Sequence, residues 1–382
     1  MIYELLTPLS DELVDFIDGV PAQALGKKVT FFREKEFYDY SKYQIAIIGV
    51  QDNRGAGVDD LEVVDIGKIR KSLYALYPGN WDLRIIDLGD ILAGDTIEDT
   101  YFALKCLTSD LIKHNVLPIV IGGGQDLTYG IYRGYNELHQ LVNLVSIDAK
   151  LDIAKGASLP VESFLSRIVL EEPVNLFNFA NLGYQTFYNA QEEIDLIENL
   201  YFEAYRLGEV SSNIRIAEPV LRDADIVSLD LGSVKSGDSG NHRQFNPNGF
   251  DGKEICSLSR YAGLSDRVSC FGVFNYNNTR NEALLIAQIL WYFIEGVNYR
   301  AGEYPFEKKE SYFKYIVPIE GYDDLVFYKS DVSGRWWVEI PVVEFENNKG
   351  VSLMPCNEEE YIMATKQEMP ERWWKALKRS LL

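Results

Sequence analysis

Three short segments carry the residue types that could do chemistry. Ile121-Gly-Gly-Gly-Gln125-Asp126 runs an apolar stretch into glycines and then two polar side chains. Ser146-Ile-Asp148-Ala-Lys150-Leu-Asp152 has a polar residue at every second position, so on an extended backbone Asp148, Lys150 and Asp152 point the same way. Ser228-Leu-Asp230-Leu-Gly232-Ser233 ends another apolar run on an acid. Clustered carboxylates and an amide oxygen can hold a hard cation, or shift one another's pKa values for acid–base work. Taken singly, each acid is more often a helix cap or a buried hydrogen-bond partner. Collected at one edge of one sheet, they favour a site. The glycines also invite a phosphate-binding reading, but neither GxGxxG nor a GK[ST] ending is present.

The elements that must position these segments follow from the hydrophobic pattern. From about residue 43, short β-branched runs alternate with segments of helical period, which predicts an α/β fold: a doubly wound, mostly parallel sheet with helices on both faces. Strands are expected at 44–50, 83–88, 117–121, 142–147, 174–179, 225–231 and 268–274, and helices at 60–76, 97–114, 127–139, 191–207, 252–262 and 281–297. Right-handed crossovers then bring the C-terminal ends of all strands to one edge. Residues 1–40 read as a peripheral segment, 41–300 as the α/β domain, and 301–382 as a small aromatic-rich C-terminal extension. That extension concentrates Trp336, Trp337, Trp373 and Trp374, four of the six tryptophans. They form either a satellite core or an anchor for a homo-oligomer or protein partner.

Composition narrows the partners. With 37 Lys+Arg against 58 Asp+Glu, the net charge of −21 repels nucleic acid and anionic lipid. Cys106, Cys256, Cys270 and Cys356 form no CxxC pair, so no thiolate zinc site or disulfide framework is expected. An acidic N-terminal stretch and the absence of a long apolar run point to a cytoplasmic protein with no membrane partner. There are three histidines in 382 residues, which limits imidazole chemistry severely. His114 and His139 fall at helix C-termini, where they fit the helix dipole. His242, in the loop SGDSGNHRQFNPNG, is a pocket candidate, as is Asp126, whose commoner role is to cap the following helix.

The three segments, in this order, resemble the signature motifs of the ureohydrolase superfamily of arginase, agmatinase and, most closely, formimidoylglutamase. The family pattern is GGxH, then DAHxD, then SxDxD; here GGGQD, DAKLD and SLDLG stand at matching intervals. IGVQDNRGAG with IRKSLYAL, YGIYRGY and NPNGFDGKEI extend the likeness over roughly residues 40–300. The resemblance implies an arginase-like three-layer fold and, in family members, a pair of Mn²⁺ ions sharing a hydroxide that attacks a guanidinium or formimino carbon. Carried over residue by residue, the ligand positions are Gln125, Asp148, Lys150, Asp152, Asp230 and Gly232, of which only Asp148, Asp152 and Asp230 keep the family's carboxylates. Asn275 stands where a substrate-holding glutamate would be.

These substitutions lead to the expectation of a degenerate metal site with no cofactor. An ammonium at Lys150 would supply the positive charge that three carboxylates need, and would repel a metal cation. The expected role is then binding or structural. The alternative is an active hydrolase of C–N bonds in linear amidines with an altered centre, a single Mg²⁺, Ca²⁺ or Mn²⁺ on Asp148, Asp152 and Asp230.

Overall fold

Apolar runs with no polar alternation form strands that must be covered on both faces, and the central sheet is built from such runs. In the computed structural model, which describes residues 2–33, 38–57, 64–138, 140–153, 160–241, 246–303, 312–343 and 349–381, the strands are β1 (Val29–Phe31), β2 (Ile45–Gln51), β3 (Ile85–Leu92), β4 (Leu117–Ile121), β5 (Val142–Ile147), β6 (Leu176–Tyr184), β7 (Glu203–Arg206), β8 (Ile226–Asp230) and β9 (Cys270–Phe274). They form one nine-stranded sheet in the order β1-β3-β2-β4-β9-β8-β5-β6-β7, and every neighbouring pair is parallel. The α/β expectation thus holds. Side-chain alternation divides the core between the two faces. Ile45, Ile47, Ile119, Ile121, Val227 and Leu229 pack on one side, and Ala46, Ile48, Val120, Leu144 and Ile226 on the other.

The order has a direct consequence for the site. β4, β9, β8 and β5 lie side by side, so the loops leaving them open onto a common crevice at the sheet's C-terminal edge.

Two strands lie outside the expected set. β1 is only three residues long. β7 falls inside the helix expected at 191–207, which stops at Asn199. Tyr201 then takes a left-handed backbone with φ 55°, and the chain re-enters the sheet beside β6. Tertiary pairing and burial of Glu203 override local helical propensity there. The helix expected at 60–76 is seen as Ile66–Tyr74, its first residues lying outside the described set. Among the described residues, no helix is long and apolar enough to cross a membrane.

The C-terminal residues form a second, antiparallel sheet of β10 (Tyr312–Val317), β11 (Leu325–Ser330), β12 (Trp336–Val343) and β13 (Lys349–Cys356). Helices Glu358–Thr365 and Glu371–Arg379 follow it. Trp336 and Trp373 pack with Phe327, Val338 and Met354, while Trp337 packs on the opposite face with Tyr328 and Leu353. The indole N–H of Trp373 donates to the Glu339 carbonyl at 2.7 Å. Trp336, Trp337 and Trp373 are 4%, 0% and 3% exposed, so these rings anchor their own chain and are unavailable to a partner. Trp374 meets the edge of Tyr201.

Buried arginines join this unit to the α/β body. Arg222, on the helix before β8, donates to the carbonyls of Trp336 (3.1 Å) and Cys356 (3.0 Å) and lies over the Trp337 ring at 4.7 Å. Arg372 meets Glu203 of β7 at 2.8 Å, and Arg379 approaches the same carboxylate at 3.6 Å. Burial opposes ionisation of Glu203, but the two guanidiniums override it and hold its pKa at about 2.

Candidate functional site

The glycine segment turns because two successive residues adopt conformations that L side chains rarely take: Gly122 at φ 94° and Gly123 at φ 73°. A Cβ at Gly123 would stand 2.6 Å from the Asp52 carbonyl oxygen, so the turn is closed to other residues. It carries Gln125 from the end of β4 into the crevice, where the side chain is fully buried. Its Nε2 donates to the hydroxyls of Ser146 on β5 (3.0 Å) and Ser228 on β8 (3.2 Å). The hydroxyls of Ser228 and Thr128 are 2.7 Å apart. Ser146 and Ser228 are direct partners in the sheet, and together these groups make a polar floor.

Above the floor stand the acids. The backbone N–H of Lys150 donates to Asp148 at 2.9 Å, and that of Gly232 to Asp230 at 2.7 Å. Asn275, in a left-handed conformation after β9 (φ 61°), accepts from the Gln125 backbone N–H at 3.3 Å and hydrogen-bonds Asp230. Asp148 Oδ2 and Gln125 Oε1 are buried with no hydrogen-bond partner among the described residues. Burial, followed by the Asp152 and Asp230 charges, pushes Asp148 well above the usual carboxylate range. Burial raises Asp152 to about 7, and Asp230 moves the same way for the same reason. Burial in the crevice therefore shifts all three carboxyls toward their protonated forms.

Lys150 departs from its expected place. β5 ends at Ile147, and Asp152 has a left-handed backbone at φ 49°, so the polar alternation that would have aligned Asp148, Lys150 and Asp152 is broken. The Lys150 side chain is half exposed, with Nζ 3.9 Å from Glu162. It acts on Asp152 and Asp230 through space without sitting among them. Asp148, Asp152 and Asp230 lie near enough to act on one another's ionisation. Among the described residues, however, no group of three or more His, Cys, Asp or Glu side chains is arranged to hold a metal ion.

Asp126 does not cap the following helix with its side chain; its Oδ2 accepts the Tyr101 hydroxyl at 2.6 Å instead, and burial raises its pKa to about 6. His114 ends the helix Ile97–Lys113, its ring 2.8 Å from the Asp110 carbonyl. His139 and His242 lie outside the described residues. Two residues that support the site were not singled out from sequence. Asn181 donates from β6 to the Lys150 carbonyl at 2.8 Å, and Asn189 accepts from Leu151 N–H at 2.8 Å and donates to the Ala149 carbonyl at 3.1 Å. They hold the turn that carries the acids. An asparagine inside the apolar run LFNFANLGY was the available signal.

A parallel sheet flanked by helices, with acids at the ends of its central strands, is the class of hydrolase fold exemplified by arginase. The sequence model of the arginase family matches residues 53–234. A formimidoylglutamase from Geobacillus sp. strain WCH70 is 26% identical over 60% of this chain and 73% of its own length. Among solved structures, Trypanosoma cruzi formiminoglutamase with Mn²⁺ superposes with a TM-score of 0.63 at 19% identity, covering 69% of this chain and 97% of that one. Bacillus subtilis formimidoylglutamase gives 0.60 at 15% identity, over 71% and 95%. Residues 53–234 are thus an arginase-family segment, and the chain as a whole has an arginase-like fold and is similar to formimidoylglutamases.

The residues present do not fit a two-manganese centre. Lys150 has no lone pair to give while charged, Gly232 has no side chain, and Gln125 offers only its amide oxygen in place of an imidazole.

Proposed function

We propose that this formimidoylglutamase-like protein does not assemble a dimanganese centre and uses its crevice in a binding or structural role. The observation that carries this reading is the donor set: at two of the family's metal-ligand positions stand Lys150, whose side chain turns outward toward Glu162, and Gly232, which has no side chain.

A second reading is an amidine hydrolase with one Mn²⁺ or Mg²⁺ on Asp148, Asp152 and Asp230. The unpartnered oxygens Asp148 Oδ2 and Gln125 Oε1 favour it, since buried acceptors of this kind are satisfied by a proton, a donor or a cation. Incubation of Mn²⁺-loaded protein with formimidoylglutamate, assayed for formamide, separates the two. The proposal expects no release above a metal-only control. Turnover that vanishes with EDTA and in Asp230→Ala would establish the hydrolase.

A further inference from the structure

An edge strand presents a row of unpaired N–H and C=O groups, and proteins blunt such edges by shortening, charging, bulging or covering them. This chain does so at both ends of its central sheet. β1 has three residues; β7 has four and lies against the arginines that hold Glu203. β10 is protected only by the single charge of Lys314. It is six residues long, pairs with β11 in unbroken register, and contains no proline. Among the described residues its backbone makes no hydrogen bond outside that pairing. Its sequence, Tyr-Phe-Lys-Tyr-Ile-Val, is apolar or aromatic at every position but one. Phe313 and Ile316 are 58% and 59% exposed.

We infer that β10 joins two copies of this chain edge to edge, as an antiparallel pair that merges their C-terminal sheets. The symmetry selects the register. A twofold axis relating antiparallel strands passes through one residue, and residues equally spaced about it face each other on the same side of the sheet. An axis at Lys314 would set two ammonium groups directly opposite each other, which is unfavourable. Axes at Phe313 or Ile316 leave one of the exposed apolar side chains outside the pairing. An axis at Tyr315 sets that ring against its own copy, places Phe313 against Val317 of the second copy, and lays the Lys314 stem along Ile316. This self-complementarity makes a second copy the occupant rather than an unrelated strand. The inference is independent of the crevice.

Sedimentation velocity of the full chain at micromolar concentration tests it, with thermal melting as a fold control. The wild type should sediment as a dimer. Ile316→Lys, at a side chain more than half exposed in one copy, should leave the Tm unchanged and raise the dimer dissociation constant at least about tenfold. Under mild oxidation Tyr315→Cys should give a disulfide-linked dimer, and Phe313→Cys should not. Tyr315 also packs on Trp336 and Tyr361; if Tyr315→Cys fails to fold, the Ile316→Lys result alone decides. A monomeric wild type would overturn the inference. So would an assembly, with itself or with another protein, whose mass Ile316→Lys does not change.

Discussion

Replacing Asp148 by Asn removes one carboxyl from a buried neighbourhood that already raises the pKa of all three. A group whose folded pKa is raised lowers stability as pH climbs above its unfolded value, because the unfolded chain releases the proton more readily. Asn carries no such penalty. Asp148→Asn should therefore raise the Tm at neutral pH by roughly 2–4 °C, the shift that about 1 kcal/mol gives in a large domain. The gain should shrink toward about pH 4, where the unfolded Asp also holds its proton. Calorimetry across that range checks it, and destabilisation at neutral pH would mean that Asp148 is needed as a charged ligand. At the same scale, combining Gln125→His, Lys150→His and Gly232→Asp restores the family's donor set. That variant should retain Mn²⁺ through desalting where the wild type does not, as read by metal analysis.

Glu203 and the arginines from the last helix set the element-scale behaviour. The carboxylate's pKa is depressed from 4.5 to about 2, so its contribution is complete above the unfolded value and is lost as pH falls from about 4.5 toward 2. The shift is worth about 3 kcal/mol. Glu203→Gln should destabilise by roughly 3–5 kcal/mol at neutral pH, because it leaves Arg379 buried without its anion and Arg372 with Glu360 alone. It should also flatten the acid limb of a Tm-versus-pH curve, and an unchanged limb would refute the assignment. Elements of this kind were the hardest to read from sequence. β4 and β5 were legible to the residue, because apolar runs ending at glycine or at alternating acids leave little choice of boundary. β7 was not, because an acid at position 203 reads as a helix residue until the arginines far along the chain supply its partners. The three acids were legible for the same reason as their strands. The outward turn of Lys150 was not, since it follows from the left-handed backbone at Asp152.

At the scale of the whole molecule, the tryptophan-rich unit is bonded into the α/β body through Arg222, Arg372 and Arg379. Buried charged contacts of this kind leave no cheap plane of separation. Scanning calorimetry should show one cooperative transition, and two resolved transitions would show that the two units fold independently. In the crevice of this arginase-fold protein, hydrogen-bonded Gln125, outward-turned Lys150 and Gly232 stand where family members bind manganese, and we propose that it holds none. The most direct test is elemental analysis after Mn²⁺ loading and desalting, with melting measured on the same sample. The account predicts no stoichiometric manganese and an unmoved Tm. A retained pair of manganese ions per chain, with a raised Tm, would contradict it.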